Sequence, residues 1–323
     1  MKPSNPNTIN NTLCFTLGDW NNKACVRNKK GNYFLPPEQE LGFELKSKYW
    51  FPPTFMPYLQ HPLLTDIDKR IKQKLTANHL IHFLDYTTVL EHKIVNRSVE
   101  TIIHGGLSID TPEEMRSAAL QLYTDEGYHA LFSYEIAKQV AEYYGIQHLQ
   151  TKPLRITLLL EFIDSVDIEH KALAWLLIGF VSETIIAKEL LKITCHTIVS
   201  SVYTILRQHL EDEAQHSRFF AEVFYYFWQN IETDQQLLAA KLLKDIIFIF
   251  SEIDKPWLTK SLCSTGFSAA QACAIIQPLL NKPAAIQRIR VGAAPTLMAM
   301  KRAGVFDNKY NRLHFKEAGL IDD

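Results

Sequence analysis

Asp125-Glu126-Gly127-Tyr128-His129 and Asp212-Glu213-Ala214-Gln215-His216 decide the reading of this chain. Both segments read D-E-x-x-H, and each lies inside a long stretch of helical periodicity. Residues i and i+3 share a helix face, so in each segment a carboxylate and an imidazole can reach one metal ion. With 20 Glu and 12 His in 323 residues, a single E-x-x-H is expected about once by chance. Requiring the preceding Asp lowers that expectation about twentyfold, and two copies in separate helices are hard to assign to accident.

A carboxylate-bridged pair of metal ions needs one further Glu from each of the other two helices of a bundle. Antiparallel geometry predicts where. The connection before the first motif is centred near residue 108, so Glu126 should lie level with about position 90, and Glu91 fits. Glu100 would put the reversal near 113, inside the next helix, and Asp85 near 105; Glu91 is preferred to both. Glu213 asks for a partner in the apolar stretch 170–194. Glu183 satisfies it with a reversal near 198, and Glu189 is the runner-up. A carboxylate in so apolar a helix is costly unless it meets a cation or a donor. His209 lies four residues before Glu213 and seven before His216, so these three share one face and add a third imidazole. The expected metal ligands are therefore Glu91, Glu126, His129, Glu183, His209, Glu213 and His216. Asp125 and Asp212 point about 100° away on their helices, placed to accept the free ring N–H of a ligating histidine from a neighbouring helix. The simpler alternative for them is a salt bridge along the helix.

Around these motifs the chain reads as all-α. Residues 66–104 have few breakers before Gly105-Gly106, and Thr111-Pro112-Glu113-Glu114 predicts a capping box that opens a helix running to about 144. Residues 154–194 are apolar enough to be interior, with a break at 165–170, and long helices follow over 197–230 and 233–253. Shorter ones are expected near 268–280 and 284–302. Residues 1–62 mix prolines with Trp50, Phe51, Phe55 and Tyr58, as an extended arm packed on a helical body would. The expected organisation is one domain over 1–323: an irregular arm (1–62), a metal-binding core (63–253) and a C-terminal helical extension (254–323).

Composition narrows the classes. Lys and Arg number 34 against 35 Asp and Glu, a net charge of −1, which gives no electrostatic reason to expect nucleic acid or an anionic membrane. The apolar share of 47% is that of a globular chain. Five scattered cysteines (14, 25, 195, 263 and 273) fit free thiols better than a disulfide framework. The polar start lacks the apolar core of a signal peptide, and apolar runs such as 172–181 fall short of the roughly 18 residues that span a bilayer. The expectation is a cytoplasmic protein without a membrane span.

Two copies of a Glu followed some 30 residues later by D-E-x-x-H, with an extra His on the last helix, resemble the p-aminobenzoate N-oxygenase family (AurF-like di-iron N-oxygenases) on a ferritin-like four-helix bundle. The likeness is clear over about 85–230. It implies bridging roles for Glu126 and Glu213, three histidines across two irons, and O2 as co-substrate through a peroxo-diferric species. It also implies an amine substrate, arylamine or amino-acid-derived, an external reductase, a place in secondary metabolism and a homodimer. The mixed imidazole and carboxylate set suits iron or manganese. Tyr123, Tyr128, Phe132, Trp175, Phe180 and Tyr203 are candidate pocket residues or plain core, and Arg207 and Arg218 are candidate partners for a substrate carboxylate or surface charges. The alternatives are another ferritin-like di-iron oxidase (hydroxylase, desaturase or radical-generating) and a non-enzymatic iron-binding protein.

Overall fold

The computed structural model describes residues 13–28, 33–107, 109–146, 152–191 and 197–322. Four long antiparallel helical runs form the core. The first is α1 (Lys69–Val89), continued through a π turn (Leu90–Val95) into α2 (Asn96–Ile103). The second is α3 (Glu113–Tyr143). Then α4 (Leu154–Ser165) and a 3-10 turn lead to α5 (Lys171–Leu191), and α6 (Ser200–Asn230) closes the bundle. After these come α7 (Thr233–Phe250), α8 (Lys255–Cys263), α9 (Ala269–Ile276), α10 (Lys282–Gly292), α11 (Ala294–Ala303) and α12 (Lys309–Glu317). No strand occurs among the described residues; one isolated bridge pairs Tyr49 with Ile198 and ties the arm to the start of α6. The all-α reading holds.

Local chemistry explains most of the boundaries. Asp68 caps α1 through the Arg70 N–H at 2.6 Å, and the α2–α3 connection turns at Gly105, whose φ of 67° suits glycine. Three expectations need correction. Thr111 does not cap α3: it is buried, its hydroxyl has no partner, and Pro112 holds the cap position without a side-chain bond. Among the described residues a capping box is formed by Ser268 and Gln271 instead. The stretch expected near 284–302 is two helices, α10 and α11, parted at Ala293 ahead of Pro295, which has no N–H to continue the ladder. And 66–104 is interrupted by the π turn, where the Asn96 N–H reaches back five residues to the Glu91 carbonyl.

Two apolar clusters fill the bundle, and the site lies between them. On α3, Met115–Leu122 belong to one cluster and Phe132–Ala141 to the other; on α6 the division falls between Leu206 and Phe219. The helix Ile168–Lys188 is long and apolar enough to cross a membrane by composition, with mean hydropathy 1.3, yet 72% of that window is buried in the bundle. A bundle's central helix has this composition because it is surrounded on all sides. The arm's Trp50, Phe51 and Tyr58 are buried, and the Trp50 indole N–H donates to the Tyr144 hydroxyl at 2.8 Å.

Candidate metal centre

All seven expected ligands converge in the layer between the clusters, contributed by all four helical runs. Each is at most 1% exposed. Glu91, His129, His209 and Glu213 form one group whose donor atoms all lie within 4.8 Å of one another, and Glu126, His129, Glu213 and His216 form a second. His129 and Glu213 belong to both. Glu183 stands at the edge of the second group, with Oε2 3.7 Å from His216 Nδ1. Of the alternatives, Glu100 pairs with Arg97 at 2.5 Å and Asp85 belongs to neither group. The Glu189 side chain lies outside the described residues, as do Cys195, His148 and His196.

The two aspartates are placed crosswise. His129 on α3 donates its Nε2–H to Asp212 Oδ2 on α6 at 3.0 Å, and His216 on α6 donates its Nε2–H to Asp125 Oδ2 on α3 at 3.2 Å. Each bond fixes a tautomer and leaves Nδ1 as a lone-pair donor facing inward. His209 presents the opposite nitrogen: its Nε2 lies 2.8 Å from Glu91 Oε1 and 3.1 Å from Glu213 Oε1. The π turn carries Glu91, and turns of this kind are frequent at functional sites because the extra residue re-aims a side chain.

What faces the centre is a set of lone-pair donors whose nearest polar neighbours are one another. Both oxygens of Glu91 and Glu126, one oxygen each of Glu183 and Glu213, and the Nδ1 atoms of His129 and His216 are buried without a well-directed hydrogen bond, and their near neighbours, such as Glu126 Oε1 at 2.9 Å from His216 Nδ1, are other members of the same set. Buried polar atoms are rarely left so, and their convergence from four helices fits a group of cations. Electrostatics reads the same way. Burial, then the Glu213 charge, raises the Glu126 carboxyl to about 7, and the same causes push Glu183 well up. Glu213 is held well below the usual range: burial would raise it, but His216, His129 and His209 outweigh that. His209 rises to about 9 because Glu91 overcomes its burial. Four carboxylates within one apolar layer are stable only beside positive charge. The three histidines, all raised by these carboxylates, supply that charge as protons; two divalent ions would match the carboxylates in number and displace those protons, leaving neutral imidazoles as ligands.

Residues 27–304 match the family described as P-aminobenzoate N-oxygenase AurF. The chain belongs to this family. Membership of this oxygenase family extends over both D-E-x-x-H segments and reaches well beyond the 85–230 core, into part of the arm and most of the tail. A comparison with curated proteins found no match. The chain is thus an all-α bundle of an oxygenase family, with a buried His and Glu set that could hold metal.

A cavity of about 350 Å³ opens beside the bundle, between the arm, α1, α4, α8 and α10. Phe51, Phe83, Tyr86 and Trp257 wall it, and Arg155 and Arg288 stand among its lining. Trp257 stacks on His82 with centroids 3.9 Å apart. Burial, with Arg155 adding to it, lowers His79 and His82 to about 3, so both are neutral, and their Nδ1 atoms have no partner. The aromatic residues near the motifs lie elsewhere. Phe180 stacks on Phe224 in the core, Tyr123 is partly exposed, and Phe132 packs against His129 and His209 at 5.4 Å each. Arg207 and Arg218 are exposed and outside the cavity. Nothing in the local sequence marks the lining of this cavity, because it is assembled from segments as far apart as Phe51 and Gly292.

Proposed function

We propose that this chain is a di-iron N-oxygenase that converts an amine R–NH2 to the hydroxylamine R–NHOH and onward. The observation that carries the reading is the pair of buried four-residue donor groups sharing His129 and Glu213, in a chain of the AurF family. When bound, two ferrous ions supply the two electrons needed to reduce O2, so that one oxygen atom goes to nitrogen and the other to water. The protein's own part is to hold seven donors in one dry layer and to keep two histidine tautomers fixed through Asp125 and Asp212. An external donor restores the two electrons after each turnover.

The substrate proposed is an aromatic amine bearing an acidic group, as the family's name indicates. In this reading the substrate ring lies against the cavity's aromatic lining, which includes Phe83 and Trp257, and its carboxylate is held by Arg155 and Arg288 of the same lining. The cavity's lining includes Tyr86 on α1 and Ile185 on α5, on the two helical runs that carry Glu91 and Glu183. The test is anaerobic ferrous loading with iron quantification, followed by O2 and a panel of amines read by mass. About two irons per chain and a product heavier by one oxygen are expected for an aminobenzoate. Iron binding with oxygen found only on carbon would move the chain to another di-iron oxidase class. Removing a charge-assisted contact costs about 1.5–3 kcal/mol, so Arg155→Ala is expected to raise KM for an acidic arylamine by about tenfold or more. Its iron content should be unchanged, and an unaltered KM would place the substrate elsewhere.

A further inference from the structure

Both aspartates that orient the centre's histidines are themselves held, on the same oxygen, by one short piece of the arm. Trp20 Nε1–H donates to Asp125 Oδ2 at 2.8 Å, the atom that also accepts from His216. The Cys25 backbone N–H donates to Asp212 Oδ2 at 3.1 Å, the atom that also accepts from His129. The Cys25 thiol adds a bond to the Gln208 carbonyl at 3.2 Å, and Arg27 lies 5.7 Å over the Trp20 ring. A cavity of about 590 Å³ separates the rest of this strap from α6, with Asp125, Asp212 and His216 in its lining. These two donors are the strap's hydrogen bonds to the aspartates, beside the Cys25 thiol's bond to α6 and the burial of Leu17 in the core. Trp20 and Cys25 precede the segment matched to the family, which begins at 27.

A carboxylate that accepts two N–H bonds on one oxygen has its plane fixed from both sides. With one donor gone it can turn about its own side-chain torsions, and the imidazole it holds turns with it. We propose that two residues of this strap complete the metal centre: Trp20 as a positioning residue acting through Asp125 on His216, and Cys25, through its backbone N–H, acting through Asp212 on His129. The proposal rests on the metal reading above.

Cobalt(II) titration of the full chain tests it, followed by affinity and by the visible ligand-field bands. Trp20→Phe keeps the ring and deletes the donor; Trp20→Gln keeps an N–H and deletes the ring. The native chain is expected to bind two ions, and Trp20→Phe to weaken the ion beside His216 by about ten- to a hundredfold, with its band shifted and the other ion unmoved. Trp20→Gln should recover most of that affinity. Asp19→Asn, on the same strap but with an exposed side chain that bonds to Asn22 and not to either aspartate, should bind as the native chain does. Cys25 begins a helical turn after an extended Ala24, a place where proline is tolerated, so Cys25→Pro removes the N–H toward Asp212. It should weaken cobalt binding while Cys25→Ala does not. If Trp20→Phe binds as the native chain does, or Phe and Gln weaken it equally, the proposal falls and the metal reading stands. A native chain that takes up no cobalt overturns both.

Discussion

Glu213→Ala is expected to leave less than one iron per chain where the native protein takes up about two, and to bring amine oxidation below about a hundredth of its native rate. That exceeds the ten- to hundredfold loss typical of groups that merely orient a ligand. The reason is position. Glu213 Oε1 lies 3.1 Å from His209 Nε2, 3.2 Å from His129 Nδ1 and 3.3 Å from His216 Nδ1, so one oxygen faces all three imidazoles. It belongs to both donor groups, whereas Glu91 and Glu183 each serve one side. Glu183→Ala should accordingly cost one ion and keep the other. Iron quantification after anaerobic loading separates the two variants, and equal stoichiometry in both would show that Glu213 is not shared.

Gly179→Ala is expected to destabilise the bundle by about 1–3 kcal/mol, against the stabilisation of about 1 kcal/mol that alanine normally brings to a helix. A methyl group at 179 would land inside van der Waals contact of Ser98 Oγ, 2.7 Å from the Ser98 Cβ and 2.9 Å from Phe220 Cε1. Three helices, α2, α5 and α6, meet there, and none can withdraw without opening the layer that holds Glu91 and Glu183. The double variant Gly179→Ala with Ser98→Gly should recover much of the loss. A denaturant series on the four combinations gives the coupling directly, and additive effects would show that the contact is relieved by a small shift.

Much of this was legible in the residues, for a physical reason. Helical period, breakers and the reversal distances of an antiparallel bundle are local or nearly local quantities, so they located the helices and picked Glu91 over Glu100 and Glu183 as the residues that meet the two motifs. Thr111 misled because its tertiary burial overrode a local capping signal. The π turn escaped because slipping a hydrogen bond by one residue leaves the hydropathy pattern almost unchanged. Trp20, Cys25 and the cavity around Trp257 escaped for a different reason. The partners of Trp20 and Cys25 lie 105 and 187 residues away, the cavity is lined from Phe51 to Gly292, and no periodicity encodes such contacts.

The crosswise bonds between α3 and α6 have a mechanical side. His129 projects from α3 but takes its orientation from α6, and His216 does the reverse. If one helix slid along the other by a single turn, about 5.4 Å, both bonds would break together. The pair therefore acts as a register pin: two short contacts of opposite polarity oppose slippage in either direction. The two helices are indexed against each other before any ion arrives, so the donors meet an incoming cation with little left to rearrange.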